Sequence, residues 1–208
     1  MKVSKEQAAL NRERILEAAA QLFRERGFDG IGVADLMKEA GLTHGGFYGH
    51  FRSKDDLIAQ TVAHVLEPGA KQEVELADYA ADYLSAQHRD DVAGGCPVAA
   101  LCSETSRQTP EARAAMTANL RRQIDRLSRG VSGPDAAANR KAAIGAWAAM
   151  VGAMILARVS DDPALSYEVL IRTRDWIASK GAAGPGPNHR STRQSKVAAG
   201  NQASAGEG

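Results

Sequence analysis

The segment from Val33 to Phe51, VADLMKEAGLTHGGFYGHF, most narrows the folds open to this chain, because two short helical patterns meet there at a glycine turn. Val33, Leu36, Met37 and Ala40 repeat at i, i+3, i+4 and i+7, one face of a 3.6-residue period. Gly41 supplies the left-handed conformation that a helix C-terminus favours, and Thr43 is placed to cap the next helix through its side-chain oxygen. In that second helix Phe47 and Phe51, spaced i, i+4, face inward, leaving Thr43, His44, Gly45, Tyr48 and Gly49 on the opposite side. The pattern is that of a helix-turn-helix.

A helix meant only to pack would not carry Gly45, Gly46 and Gly49 within two turns, since each costs about 1 kcal/mol relative to alanine. Absent side chains let a helix backbone come close to another surface, and a phosphate-lined groove is one such surface. Tyr48 and His50 can hydrogen-bond phosphate oxygens, Lys54 can neutralise one, and the helix start at Thr43 points partly positive N–H groups outward.

Composition fixes the class around this segment. At 208 residues the chain holds one or two small domains, and with only 5% aromatic residues, abundant alanine and no strand-like alternation it reads as all-α. The start, MKVSKEQAALNRER, is polar and charged rather than signal-like, which leads us to expect a cytoplasmic protein. Two cysteines are too few for a disulfide framework, and no metal site, cofactor or catalytic set is expected. Residues 1 to 67 hold nine Lys/Arg and ten Asp/Glu, a formal charge of −1 where nucleic-acid binders are usually basic. Lys2, Lys5, Arg12, Arg52 and Lys54 are expected to cluster on one side, giving few phosphate contacts and a modest salt dependence.

The stretch GFDGIGVADLMKEAGLTHGGFYGHFRSKDDL resembles the DNA-binding domain of the TetR family of bacterial transcriptional repressors, whose recognition helix ends in a Tyr-x-His/Tyr-Phe motif followed shortly by a lysine. Here the motif is Tyr48-Gly49-His50-Phe51, with Lys54, and the likeness covers about the first 65 residues. Gly32 stands where the family usually has a Ser or Thr cap, and Gly46 and Gly49 where it often has larger side chains. The resemblance implies a three-helix DNA-binding domain over residues 1–67, a larger helical ligand-binding and dimerisation domain over 68–180, and about nine helices in all. It implies a homodimeric repressor that reads a palindromic operator in double-stranded DNA and responds to a small-molecule effector, with no membrane partner. Thr43, His44, Gly45, Tyr48, His50 and Lys54 are then the DNA-binding residues.

Taken in order, residues from about Ser4 to Arg26 form a first helix with Ile15, Leu16, Ala19, Leu22 and Phe23 inward, stopped by Gly27. A helix after Ser53 carries Asp55 and Asp56 in its first turn, where the dipole favours negative charge, and Ile58, Val62 and Val65 inside. Pro68-Gly69 breaks it, and there the domain boundary is drawn. Residues from about Ala70 to Arg89 are helical in pattern but poorly apolar, and Asp90 to Gly95 read as a loop. In the helix from Glu111 to Arg129, Arg121, Arg122, Arg126 and Arg129 make a basic stripe, the usual signature of a solvated face. The run AAIGAWAAMVGAMILA, about sixteen uncharged residues, falls below the 18 or more of a membrane span, and a helix apolar on all sides is buried on all sides. With the helix from Pro163 to about Ser179 it is the expected dimer interface. Residues 181–208 lack apolar periodicity and read as a disordered tail.

Cys96 sits just before Pro97, at the expected N-cap of a helix, where a thiol is a candidate redox or electrophile sensor. The bland alternative is a small buried hydrophobe, and GCPVAAL resembles a motif in the sensor domains of one TetR subgroup. Cys96 and Cys102 are separated by about 9 Å of helical rise, beyond the roughly 7 Å limit for a disulfide. Two further readings compete: a thiol enzyme using Cys96 with His88 as base, for which no oxyanion arrangement can be named, and a structural dimer whose reader has lost DNA affinity.

Overall fold

The computed structural model describes residues 4–64 and 74–182, in which nine α-helices and one 3-10 helix occur and no strand. Lys2, Val65, the break at Pro68-Gly69 with the boundary drawn there, and the tail beyond residue 182 lie outside the described residues.

Helix α1 (Lys5–Arg26) starts where the Ser4 hydroxyl accepts the Gln7 N–H at 3.1 Å. It buries Ile15, Leu16, Ala19, Leu22 and Phe23 and ends at Gly27, whose φ of 74° needs a residue without a side chain. Helix α2 (Val33–Glu39) follows, with Leu36 and Met37 fully buried. Its end is a Schellman motif, in which Gly41 at φ 69° donates to Lys38 and Leu42 donates to Met37 at 2.8 Å.

The second half of the helix-turn-helix is a 3-10 helix, His44–Gly49, and not the α-helix expected. Its bonds are of the i to i+3 kind, from Gly46 N–H to the Thr43 carbonyl at 3.0 Å and from His50 N–H to the Phe47 carbonyl at 2.9 Å. Three glycines in six residues explain this, because so short and weakly helical a segment does not repay α-helix nucleation. Phe47 and Phe51 hold it instead; both are buried, each contributing about 1.5–3 kcal/mol of burial. Thr43 is the N-cap by position, but its hydroxyl makes no cap hydrogen bond. Helix α3 (Lys54–His64) is capped as expected, with Ser53 Oγ accepting the Asp56 N–H at 3.1 Å.

The larger part comprises α4 (Leu76–Tyr83), α5 (Ala86–Asp90), α6 (Pro97–Thr105), α7 (Pro110–Arg129), α8 (Ala136–Val159) and α9 (Pro163–Ala182). The single helix expected up to Arg89 is cut at Leu84, because the Ser85 hydroxyl caps a new helix by accepting the His88 N–H at 3.2 Å. Helix α9 runs past residue 180 to Ala182. One apolar cluster extends from Ile15 on α1 to Ile177 on α9, and α3 packs on α7 while α1 packs on α6.

Helix α8 is not buried on all sides. Trp147, Met150, Ala153 and Met154 face the core, whereas Ile144, Ile155, Leu156 and Val159 are exposed, Val159 at 76%. At 24 residues it is the one described helix long and apolar enough to cross a membrane, as helices of protein cores also can be. Helices α7 and α9 are its main packing neighbours, with α4, α5 and α6 also against it.

Candidate functional site

The 3-10 helix turns its apolar residues in and its polar ones out. Phe47 and Phe51 stack at 5.7 Å between ring centres beneath the surface, and Tyr48 stands edge-on to Phe47 at 5.2 Å with 69% of its surface exposed. Thr43, His44 and Gly45 are exposed beside it, while His50 and Lys54 are half-buried at the far end. A side chain at Gly45 or Gly49 would meet nothing within 4 Å, so neither glycine is needed for packing inside the chain. All six residues expected to meet DNA thus belong to one short stretch of surface.

Of the basic residues expected nearby, Arg12 is otherwise engaged. Its guanidinium lies 5.5 Å from the Phe51 ring centre and hydrogen-bonds Gln60, which ties α1 to the end of the 3-10 helix and to α3. Arg52 forms a 3.5 Å ion pair with Asp56 yet keeps its side chain 91% exposed. The Arg52 backbone N–H donates to Asp56 at 2.9 Å, and this bond, with one from Gln60, holds the Asp56 carboxyl below its ordinary value.

A second feature lies in the larger part. Between α4, α7, α8 and the start of α6 is a cavity of about 280 Å³, whose walls include Tyr79, Tyr83, Cys96, Gln123, Arg126 and Trp147. The rings of Tyr79, Tyr83 and Trp147 lie 5.4 to 6.2 Å apart. Arg126 leaves the basic stripe for this wall, its guanidinium 5.5 Å from the Tyr79 ring centre; Arg121, Arg122 and Arg129 are exposed, as a solvated face requires.

Cys96 is the N-cap of α6, with Pro97 in the first turn, and both cysteines are free and half-buried. Burial raises the Cys102 thiol above its ordinary value, and Cys96 nearby adds to this. His88 does not serve Cys96 as a base. Its Nε2 accepts the Cys96 backbone N–H at 3.0 Å and its Nδ1 donates to the Tyr83 carbonyl at 2.7 Å, so both ring nitrogens are spent on backbone. The imidazole is a clasp that closes the loop of residues 91–95 onto α4.

From the cavity, α6 runs to the N-terminal part. At its far end Glu104 Oε2 accepts the Phe28 N–H at 2.7 Å, and Arg24 on α1 donates to the Ala93 carbonyl at the near end. Glu104, Gln123 and Trp147 were not singled out from sequence. Asn119 and Gln123 did carry a signal, as polar residues i, i+4 within the apolar face of α7.

A family model described as bacterial regulatory proteins, tetR family, matches residues 15–61, from α1 into α3. The HTH-type transcriptional regulator AcrR of Shigella flexneri is 35% identical over 57 residues, covering 27% of this chain and 26% of that protein, so the match spans about a quarter of that relative. An uncharacterized HTH-type transcriptional regulator of Mycobacterium tuberculosis is 30% identical over 169 residues, covering 73% of this chain and 86% of the relative. The crystal structure of reduced Escherichia coli NemR superposes with a TM-score of 0.63 at 25% identity, over 81% of this chain and 95% of that one.

Proposed function

This chain belongs to the TetR family of bacterial regulatory proteins and is a DNA-binding transcriptional regulator, and from that premise we propose that it is a homodimeric repressor released from a palindromic operator by a small molecule. The observation that carries the reading is the outward 3-10 helix pinned by Phe47 and Phe51, with open space over Gly45 and Gly49. Thr43 and His44 face base edges, and Gly45, Tyr48, His50 and Lys54 serve the phosphate backbone. With so few side chains able to reach a base, groove shape carries part of the specificity.

Two features support the finer parts of this reading. The exposed stripe of Ile144, Ile155, Leu156 and Val159 on α8, continued by Leu165 on α9, is the kind of surface a second copy covers in a four-helix interface. Such pairing sets two readers about one DNA turn apart. The cavity at the start of α6 offers an effector a site, and α6 joins it to Glu104 against Phe28, a rigid connection from ligand to reader. It would work in the cytoplasm, beside its DNA.

The test is a gel shift on DNA upstream of the chain's own reading frame, with a salt series. Expected is a dimer-sized complex with a log–log salt slope no steeper than about −8. Absence of any shift on duplex DNA, or binding by a monomer, would overturn the reading.

A second reading, a thiol sensor, is favoured by Cys96 lining the cavity at a helix N-terminus. Limited alkylation of the folded protein that leaves Cys96 unmodified would remove it.

A further inference from the structure

Three buried polar atoms of residues lining the α6 cavity lack a well-formed hydrogen bond: Trp147 Nε1, the Tyr83 hydroxyl, which has only the weakly bonding Cys96 thiol beside it, and Gln123 Nε2, which lies by the Tyr79 hydroxyl. Tyr83 and Trp147 are only 5% and 6% exposed. Buried polar atoms are normally well satisfied, so one orphan and two poorly paired donors in one cavity point to a partner that arrives from outside. The indole N–H and the amide nitrogen can only donate. Burial holds the Tyr83 phenol above its ordinary value, and the neighbouring Cys96 adds to this, so Tyr83 also keeps a proton to give.

The rest of the wall narrows the partner further. Tyr79, Tyr83 and Trp147 present ring faces and edges suited to a flat apolar body. Arg126 brings a positive charge, and none of the described residues in the wall is acidic. At about 280 Å³ the space is at the small end for ligand pockets.

Resting on the reading that this cavity holds the effector, we propose that the effector is a small aromatic carboxylate. Its ring lies against Tyr79, Tyr83 and Trp147, and its oxygens accept from Gln123, Trp147 and Tyr83 with Arg126 beside them. A carboxylate has about four lone-pair sites for these donors, and charge-assisted bonds are roughly twice as strong as neutral ones. A hydrocarbon would give none of the three atoms a partner. An ammonium would face donors and a like charge.

Calorimetric titration of the full chain with benzoate, 1-naphthoate, benzyl alcohol and benzylammonium tests this. At least one carboxylate should bind at millimolar concentration or below, tighter than the alcohol and the amine. Gln123→Glu, which sets a negative charge against the ligand, should weaken that binding at least about tenfold, and Tyr83→Phe about threefold or more. Gln123 is only half-buried, so its variant should fold; Tyr83→Phe keeps the ring and gives an independent answer. The proposal is overturned if neither carboxylate binds, if the alcohol or amine binds as tightly, or if both variants bind like the parent. A gel shift separates the two levels: a carboxylate that binds through these donors without loosening operator DNA upholds the ligand class and defeats effector control. Release by the amine or the alcohol, competing at this cavity, defeats the ligand class and upholds effector control.

Discussion

Glu104 Oε2 accepts the backbone N–H of Phe28 at 2.7 Å, joining the end of α6 to the turn that follows α1. The same carboxylate crowds Gly27, where an added Cβ would lie 2.6 Å from Oε1. The junction between the two parts of the chain is therefore a carboxylate seated in a backbone turn. Glu104→Ala removes the acceptor and leaves the Phe28 N–H unpaired, so urea unfolding should show a loss of about 1–3 kcal/mol. Glu104→Gln, which keeps an oxygen, should lose less. Equal stability in Glu104→Ala and the parent would show that the bond does not hold the junction.

The two hydroxyls at the helix starts of the reader should behave differently. Ser53 Oγ accepts the Asp56 N–H, and Ser53→Ala should cost about 1 kcal/mol of stability. Thr43 makes no such bond, so Thr43→Ala should leave stability within about 0.5 kcal/mol of the parent while weakening DNA binding. A thermal melt and a gel shift on each variant decide this, and a Thr43→Ala protein as destabilised as Ser53→Ala would contradict it.

Tyr48 and His44 are expected to divide affinity from specificity. Tyr48→Ala, deleting an exposed side chain proposed to meet phosphate, should weaken binding to every duplex by a similar factor. His44→Ala should also flatten the preference at particular base pairs, by about 1–3 kcal/mol per lost contact. Competition binding against a set of single-base variants of the operator measures both. Unchanged affinity in both variants would remove the 3-10 helix from the interface.

Dimerisation through α8 predicts that a charge at Val159 separates the copies. Val159 is 76% exposed in the single chain, so Val159→Asp should not disturb its fold. Sedimentation should then give a monomer, and operator affinity should fall by more than tenfold because one reader makes only half the contacts. A dimer of unchanged strength would place the interface elsewhere.

The Asp56 carboxyl titrates below its ordinary 3.8, chiefly because the Arg52 backbone N–H donates to it, then Gln60. A lowered folded value means that its stabilisation is complete above the unfolded value and is lost as pH falls through the folded one. The stability difference between the parent and Asp56→Asn should therefore stay flat above about pH 5 and shrink below about pH 4. Since Asp56 and Arg52 are near water, the effect will be small. A difference that grows on acidification would contradict the assignment.

Much of this protein is local and so was legible in the residues alone. The apolar repeat of α1, the Gly41 turn, the Ser53 cap and the inward pair Phe47 and Phe51 each depend on spacings of a few residues, and all stand as expected. The Tyr48-Gly49-His50-Phe51 motif identified the reader for the same reason. Where local preference was weak, sequence misled: three glycines turned an expected α-helix into a 3-10 helix, and the Ser85 hydroxyl divided a longer one.

The tertiary structure alone decided what depends on distant residues. Glu104 meets Phe28 across 76 positions, and Tyr79, Gln123 and Trp147 come from three different helices to line one cavity. His88 reads as a possible base until both its nitrogens are seen on backbone, and α8 reads as wholly buried until one face is found open. Periodicity reports which side of a helix is apolar; which neighbour covers it, and which polar atoms are left unpaired there, is settled only when helices far apart in the chain pack together.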